Sequence, residues 1–331
     1  MERRAFGRTG LQVSILGFGC GAVGGLMVRG APQDQERTIA RAIEAGVDYF
    51  DTAAMYGNGE SEKNLGRVLA KLNPNVIVGT KVRIASSDFG RIAAAVTESL
   101  DASLKRMGRE QVDIFHLHNA ITVDGGGESL SAKTVLEEVV PAFEKLREQG
   151  KLRFPGITAV GDTAALHEVI DSRKFVSAQV SYNMLNPSAS EPLPAGYPAQ
   201  DYGRMFDRTE AAGVGVIGIR VLAGGALSGT AERHPIASPP PDPIGSANTY
   251  DADLHRARRL LPLVQQGHAA SLAEAAIRFA IGHKAMGTIL VGMATQEQFE
   301  QALAAVNKGP LSQAALENLA ALQRGFAGER R

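Results

Sequence analysis

Short apolar runs alternate along the chain with longer stretches in which apolar residues return every three or four positions. The first pattern predicts buried strands and the second amphipathic helices. Ser14–Gly19, Val47–Asp51, Val76–Lys81, Val112–His118, Leu152–Thr158, Ser177–Ser181, Gly215–Ile219 and Gly287–Val291 read as strands. Helices are expected over 33–45, 61–72, 88–107, 133–149, in a short piece from Asp162, over 201–212, from Thr295 and over 312–325. Thr295-Gln-Glu-Gln298 and Ser271-Leu-Ala-Glu274 have the spacing of capping boxes. Residues 3–14 read as a hairpin turning at Gly7-Arg-Thr-Gly10. Eight strand-plus-helix units predict an α/β fold, a (β/α)8 TIM barrel with an N-terminal hairpin and an extra C-terminal helix. No composition break divides residues 1–331, so one barrel domain is expected; a doubly wound sheet is the main competitor. The proline-rich segment 234–250 reads as a mobile loop over the site.

Three of these strands end in residues able to do chemistry. Asp51 closes the second, with Tyr56 in the loop beyond it; Lys81 closes the third and His118 the fourth. In a parallel βα repeat those ends share one face. A phenol titrates near 10, and a neighbouring ammonium favours its phenolate. Lys81 can act on Tyr56 in this way, Asp51 can hold Lys81, and His118 can orient the same carbonyl oxygen that Tyr56 protonates. Taken singly, each has an ordinary explanation as a cap, surface or rim residue. Four at convergent strand ends favour a proton-transfer site. His116 lies two residues from His118 and so on the same side of the strand, which leaves the choice between them open. The side chains supply no electron pair, so a nicotinamide cofactor is the economical inference.

Composition narrows the setting. The 35 basic and 35 acidic residues cancel, which gives nothing to steer the chain to nucleic acid or an anionic membrane. The single cysteine, Cys20, allows no disulfide framework, and no metal site is expected. No apolar run approaches membrane-span or signal-peptide length, so a cytoplasmic setting is expected. Gly19-Cys-Gly21-Ala-Val-Gly24 matches G-x-G-x-x-G, but Gly25, Gly30 and Pro32 would break the helix that a dinucleotide fingerprint requires. A glycine-rich loop with backbone room for a ligand is expected instead.

Tyr49-Phe-Asp51-Thr-Ala-Ala-Met-Tyr56-Gly, Thr80-Lys81 and Asp113-Ile-Phe-His-Leu-His118 together resemble the aldo-keto reductase family, as does the opening Arg3-Arg-Ala-Phe-Gly-Arg-Thr-Gly. The resemblance covers nearly the whole chain. It implies an NAD(P)(H)-dependent barrel oxidoreductase with Tyr56 as acid/base, Lys81 and Asp51 as its tuners and His118 as orienter. It also implies cofactor contacts. Thr158 replaces a serine and Gln179 matches a carboxamide-binding glutamine. Ile219 stands where an aromatic often lies under the nicotinamide, and Arg220 replaces a small residue and can reach a phosphate or a charged substrate. Leu222, Gly224 and Leu227 belong to the segment over the pyrophosphate, and Gly292, Thr295 and Gln298 to the adenosine-ribose segment. Ala294 stands where NADP-preferring members often carry a basic residue, which favours NAD. Arg153-Phe-Pro-Gly-Ile-Thr and Leu290-Val-Gly-Met are similar to the L-galactose and D-threo-aldose dehydrogenase branch. The expected substrate is a small carbonyl compound, alcohol or sugar lactol. An NADPH-dependent broad-range aldehyde and ketone reductase and a non-redox cofactor-binding regulatory subunit are the alternatives.

Overall fold

The computed structural model describes residues 1–331. It opens with a hairpin of β1 (Arg3–Ala5) and β2 (Gln12–Ser14), joined by a short helical turn over Gly7–Thr9. Eight parallel strands then close on themselves: β3 (Leu16–Gly19), β4 (Tyr49–Asp51), β5 (Ile77–Val82), β6 (Val112–Leu117), β9 (Leu152–Ala159), β10 (Ser177–Ser181), β11 (Gly215–Ile219) and β12 (Met286–Gly292). A two-residue pair, β7 (Ile121–Thr122) and β8 (Leu130–Ser131), sits in the loop after β6. The pairing of Ile289 with Leu16 and Gly292 with Gly19 closes the ring and excludes the open-sheet alternative.

Two apolar layers hold the barrel. Alternate strand residues face inward, where Phe6, Val13, Tyr49, Ile114 and Ile217 form an inner cluster. Phe6 comes from the hairpin and plugs the base: a Cβ on Gly215 or Gly287 would lie 2.8 Å from its ring. Burying such a side chain is worth about 1.5–3 kcal/mol. The outward residues pack against the surrounding helices. Helix Glu60–Leu72 buries Leu65, Val68 and Leu69 and leaves Glu60, Lys63 and Lys71 in solvent, the spacing of an amphipathic helix.

Helix starts follow the expected chemistry. Thr295, Ser271 and Ser312 each accept an N–H from the third residue of the helix they open, at 3.3, 3.1 and 3.3 Å. The stretch expected as one helix over 133–149 is interrupted by a π-turn at Val135–Val139. Pro141 has no N–H to return to the preceding turn, and a wider turn accommodates the loss. No helix is long and apolar enough to cross a membrane.

The segment 234–250 is tied down rather than loose. Arg29 Nε donates to Ile236 O at 2.6 Å and Arg29 Nη2 to Ala22 O at 2.6 Å. Arg233 donates to Ser238 O at 2.8 Å and to Gly224 O at 2.9 Å. These bonds strap the segment across the glycine-rich loop after β3. Two of that loop's glycines, Gly24 and Gly25, are required by this packing, while Gly21 lies beside Tyr56, its ring 3.6 Å from where a Cβ would stand. A Cβ on Gly24 would lie 2.2 Å from Met293 N, and one on Gly25 would lie 1.9 Å from Ile236 O. A four-residue helix, Leu26–Arg29, follows and ends at Gly30, so no dinucleotide-type helix forms there.

Candidate active site

Strands β4, β5 and β6 are neighbours in the ring, and their C-terminal ends bring Asp51, Tyr56, Lys81 and His118 together. Along β4, Phe50 points outward and stacks on Phe18 with ring centroids 5.7 Å apart. Tyr49 and Asp51 therefore share the inner face, and Tyr49 Oη donates to Asp51 Oδ2 at 3.1 Å. Asp51 is 3% and Lys81 1% exposed, so this is a buried ion pair. Lys81 Nζ donates to Asp51 Oδ1, to Thr52 O at 2.7 Å and to Tyr56 Oη at 3.3 Å. All three ammonium protons thus have acceptors, which is what makes a buried lysine tolerable. The half-buried Tyr56 and His118 rings meet edge to face, centroids 6.2 Å apart.

The electrostatics separate the roles. Burial works against the charge on Lys81, but Asp51 and Tyr56 outweigh it and hold the ammonium above its ordinary range. Burial raises Tyr56; Lys81 opposes the rise, and Asp51 adds to it. The phenol is thus protonated at neutral pH, and the lysine moderates its acidity without bringing it below the ordinary value. Burial also raises Asp51, against the pull of Lys81, Tyr49 and Gln179. His118 is pushed down to about 3 by burial, Lys81 and Arg83. Its imidazole is neutral, and so can donate or accept a hydrogen bond without carrying a charge.

The two histidines divide cleanly. His116 is fully buried, with Nε2 3.0 Å from Ser177 Oγ. A Cβ on Gly156 would lie 2.4 Å from its ring. It is a core residue between β6 and its neighbours, and His118 is the one at the open end.

The residues expected around a cofactor fall on an arc. Thr158, Gln179, Ile219 and Gly292 stand on β9, β10, β11 and β12, consecutive strands of the ring. Gln179 and Thr158 are register partners. Arg220 follows at the end of β11 in a left-handed conformation, φ 57°, its carbonyl held by Asn183 Nδ2 at 2.9 Å. Leu222 and Gly224 continue into the turn Ala223–Ser228. Thr295 and Gln298 open helix Gln296–Asn307, and Gln298 Oε1 accepts the N–H of Ala294 at 2.7 Å. Two of the positions are engaged within the protein itself. Leu227 is fully buried and packs into the core. Gln179 is engaged already: it donates to Asp51 Oδ2 at 2.7 Å and accepts from Thr158 Oγ1 at 3.2 Å. Of the residues sequence reasoning passed over, Tyr49 had a signal, since strand alternation places it beneath Asp51. Asn183 and Asn119 had none.

A family model, that of the Aldo/keto reductase family, matches residues 15–324. The chain belongs to the aldo/keto reductase family. This aldo/keto reductase is 31% identical over 316 residues to L-galactose dehydrogenase of Arabidopsis thaliana, covering 93% of this chain and 89% of that protein. It is 27% identical over 336 residues to L-glyceraldehyde 3-phosphate reductase of Escherichia coli, covering 93% and 88%. Its fold matches that of aldo-keto reductase AKR11C1 from Bacillus halodurans (holo form) with a TM-score of 0.72 at 23% identity, over 97% of this chain and 96% of that one. Membership makes the protein an oxidoreductase that works with a nicotinamide cofactor, in a family acting on small carbonyl or sugar substrates.

Proposed function

We propose that this aldo/keto reductase interconverts a carbonyl or sugar lactol with its reduced or oxidised partner, with Tyr56 as general acid and base. The observation that carries the reading is Lys81 Nζ, lodged between Asp51 and Tyr56 Oη. Tyr56, protonated at rest, gives its proton to a carbonyl oxygen as negative charge develops there. Lys81 stabilises the phenolate that remains, and Asp51 keeps Lys81 charged and in place. Neutral His118 donates to the same carbonyl oxygen and sets its direction. In the reverse sense Tyr56 removes a hydroxyl proton.

The arc from Thr158 to Gln298 fits a dinucleotide. It offers a hydroxyl and an amide at β9 and β10, an apolar face at Ile219, an unpaired guanidinium at Arg220 and a helix N-terminus at Thr295. When bound, the nicotinamide supplies or takes the hydride. Arg220 and the turn after it would hold phosphate oxygens, and Gln179 would give up one of its two bonds to hold the carboxamide. NAD is favoured over NADP. Ala294 offers no cation, and Glu297, exposed in the first turn of the adjoining helix, adds a negative charge where a 2′-phosphate would need a positive one. The likeness to L-galactose dehydrogenase supports sugar lactols or aldoses as substrates, and the likeness to L-glyceraldehyde 3-phosphate reductase supports small aldehydes. The lone cysteine, Cys20, is buried and unpaired, which suits a cytoplasmic setting.

Thermal stability with NAD, NADH, NADP and NADPH tests the reading, because a ligand that binds the native state raises apparent stability. A shift with the NAD pair is expected. A shift with the NADP pair alone would mean that a residue other than Ala294 holds the 2′-phosphate, with Arg220 the first to test, and would favour broad-range carbonyl reduction. Tyr56→Phe should keep the shift and lose about 100-fold or more in turnover. Full turnover without Tyr56 would defeat the mechanism.

A further inference from the structure

One cation at the open end of the barrel has no task in the mechanism. Register pairs Lys81 with His116 and Val82 with Leu117, and His118 N–H donates to Val82 O at 2.7 Å. The next position along places Arg83 beside His118. Val82 and Ile84 are each 1% exposed and pack into the outer apolar layer, so Arg83 between them faces the same side as Lys81, toward the mouth. The chain there is fixed. Asn119 Oδ1 accepts from Ile84 N at 2.8 Å, and Asn119 Nδ2 donates to Ile84 O at 2.7 Å and Glu128 O at 2.9 Å. The guanidinium itself is exposed, with no ion pair within 4.0 Å and no hydrogen bond. Elsewhere in this region Glu128 accepts from Ser86 Oγ at 2.8 Å, and Asp51 is paired with Lys81.

We propose that Arg83 anchors a carboxylate or phosphate on the substrate, so that this enzyme selects anionic carbonyl compounds or anionic sugars over neutral ones. The proposal rests on the oxidoreductase reading and names its substrate class. A guanidinium fork matches either oxyanion group in two parallel bonds, and no resident carboxylate lies within 4.0 Å of it. Its place beside His118 puts that anchor next to the residue that directs the reacting oxygen. Arg220 is a second cation within charge range of Tyr56, and the Arg220→Gln variant separates its part from that of Arg83. In the eight-strand ring, β11 lies opposite β5, and the turn that follows Arg220 belongs to the cofactor arc.

Two matched pairs test this in NADH-dependent reduction: 4-oxobutanoate against butanal, and glyceraldehyde 3-phosphate against glyceraldehyde. The wild type should favour the charged member by about tenfold or more in kcat/KM. Arg83→Gln should erase most of that preference, chiefly through KM, and Arg83→Lys should retain part of it. The two pairs separate a carboxylate preference from a phosphate preference. Arg220→Gln should raise the KM for NADH and leave the ratio in place. An equal ratio in wild type and Arg83→Gln overturns the proposal. If the wild type reduces none of the four aldehydes with NADH or NADPH, small-aldehyde reduction fails as its activity, and calorimetric titration with succinate and with inorganic phosphate then judges the anion site alone. Heat that is lost in Arg83→Gln upholds it, and no heat in the wild type overturns it.

Discussion

Gln179 donates an N–H to Asp51 at 2.7 Å, and this ties the cofactor arc to the carboxylate that anchors Lys81. A group that engages the Gln179 amide draws on the same hydrogen-bond chain that runs through Asp51 and Lys81 to Tyr56. Gln179→Met removes both of the glutamine's bonds while keeping its volume. It should weaken NADH binding and lower kcat together, each by about tenfold. Fluorescence titration and steady-state rates measure the two separately. A change confined to KM would show that the chain does not transmit.

His118 makes the protein acid-sensitive. Its value falls to about 3 from an ordinary 6.5, through burial, Lys81 and Arg83. Between those values the unfolded chain binds a proton that the native chain refuses, so stability rises with pH there. The contribution is present in full above 6.5 and is lost as pH falls toward 3. Melting temperature should decline from pH 7 to pH 4, and His118→Gln should flatten the decline. The same value predicts no inflection in kcat between pH 5 and 8 from this histidine.

Glu62 is fully buried, bonded to Thr80 Oγ1 at 2.6 Å and to Arg106 Nε at 2.6 Å. It joins helix Glu60–Leu72 to both β5 and helix Ile92–Met107. Arg106→Ala leaves a buried charge with a single neutral donor, at a cost of about 2–4 kcal/mol. Glu62→Gln, which keeps an acceptor for Thr80, should lose less. Chemical denaturation compares the two, and equal stability of Arg106→Ala and wild type would remove the pair from the stabilising set.

Cofactor choice should respond to charge in the first turn of helix Gln296–Asn307. Glu297→Lys replaces an exposed anion by a cation beside Thr295. The ratio of NADPH to NADH efficiency should rise by about five- to tenfold. No movement of the ratio would place the 2′ position of the ribose elsewhere.

Much of this was readable from the chain. The alternation of apolar runs and helical stretches located all eight barrel strands, because each βα unit is built from local contacts. Asp51, Lys81 and His118 were readable for the same reason, since a strand end is defined within a few residues. What escaped depends on closure of the ring. Gln179 meets Asp51 across the barrel mouth, 128 positions away in the chain. Gly24 is required by Met293, which reaches it only once β12 has paired with β3, and Gly25 by Ile236 from the loop after β11. The left-handed turn at Arg220 depends on Asn183 from another loop. No periodicity records such meetings.

The strap over the glycine-rich loop is fastened through main-chain carbonyls: Arg29 grips those of Ala22 and Ile236, Arg233 those of Gly224 and Ser238, and the Ser238 N–H reaches Ala22 O at 3.2 Å and Val23 O at 3.3 Å. Carbonyl oxygens are the same whatever side chain the residue carries. Exposed residues beside the clasps, such as Pro235, Pro239 and Pro240, can thus be exchanged in a library without unbuckling the closure, whereas the His234 ring accepts the Ile236 N–H and the charge of Asp242 acts on Arg220. For anyone wishing to retrain this enzyme on a new substrate, those exposed prolines are the ground on which to begin.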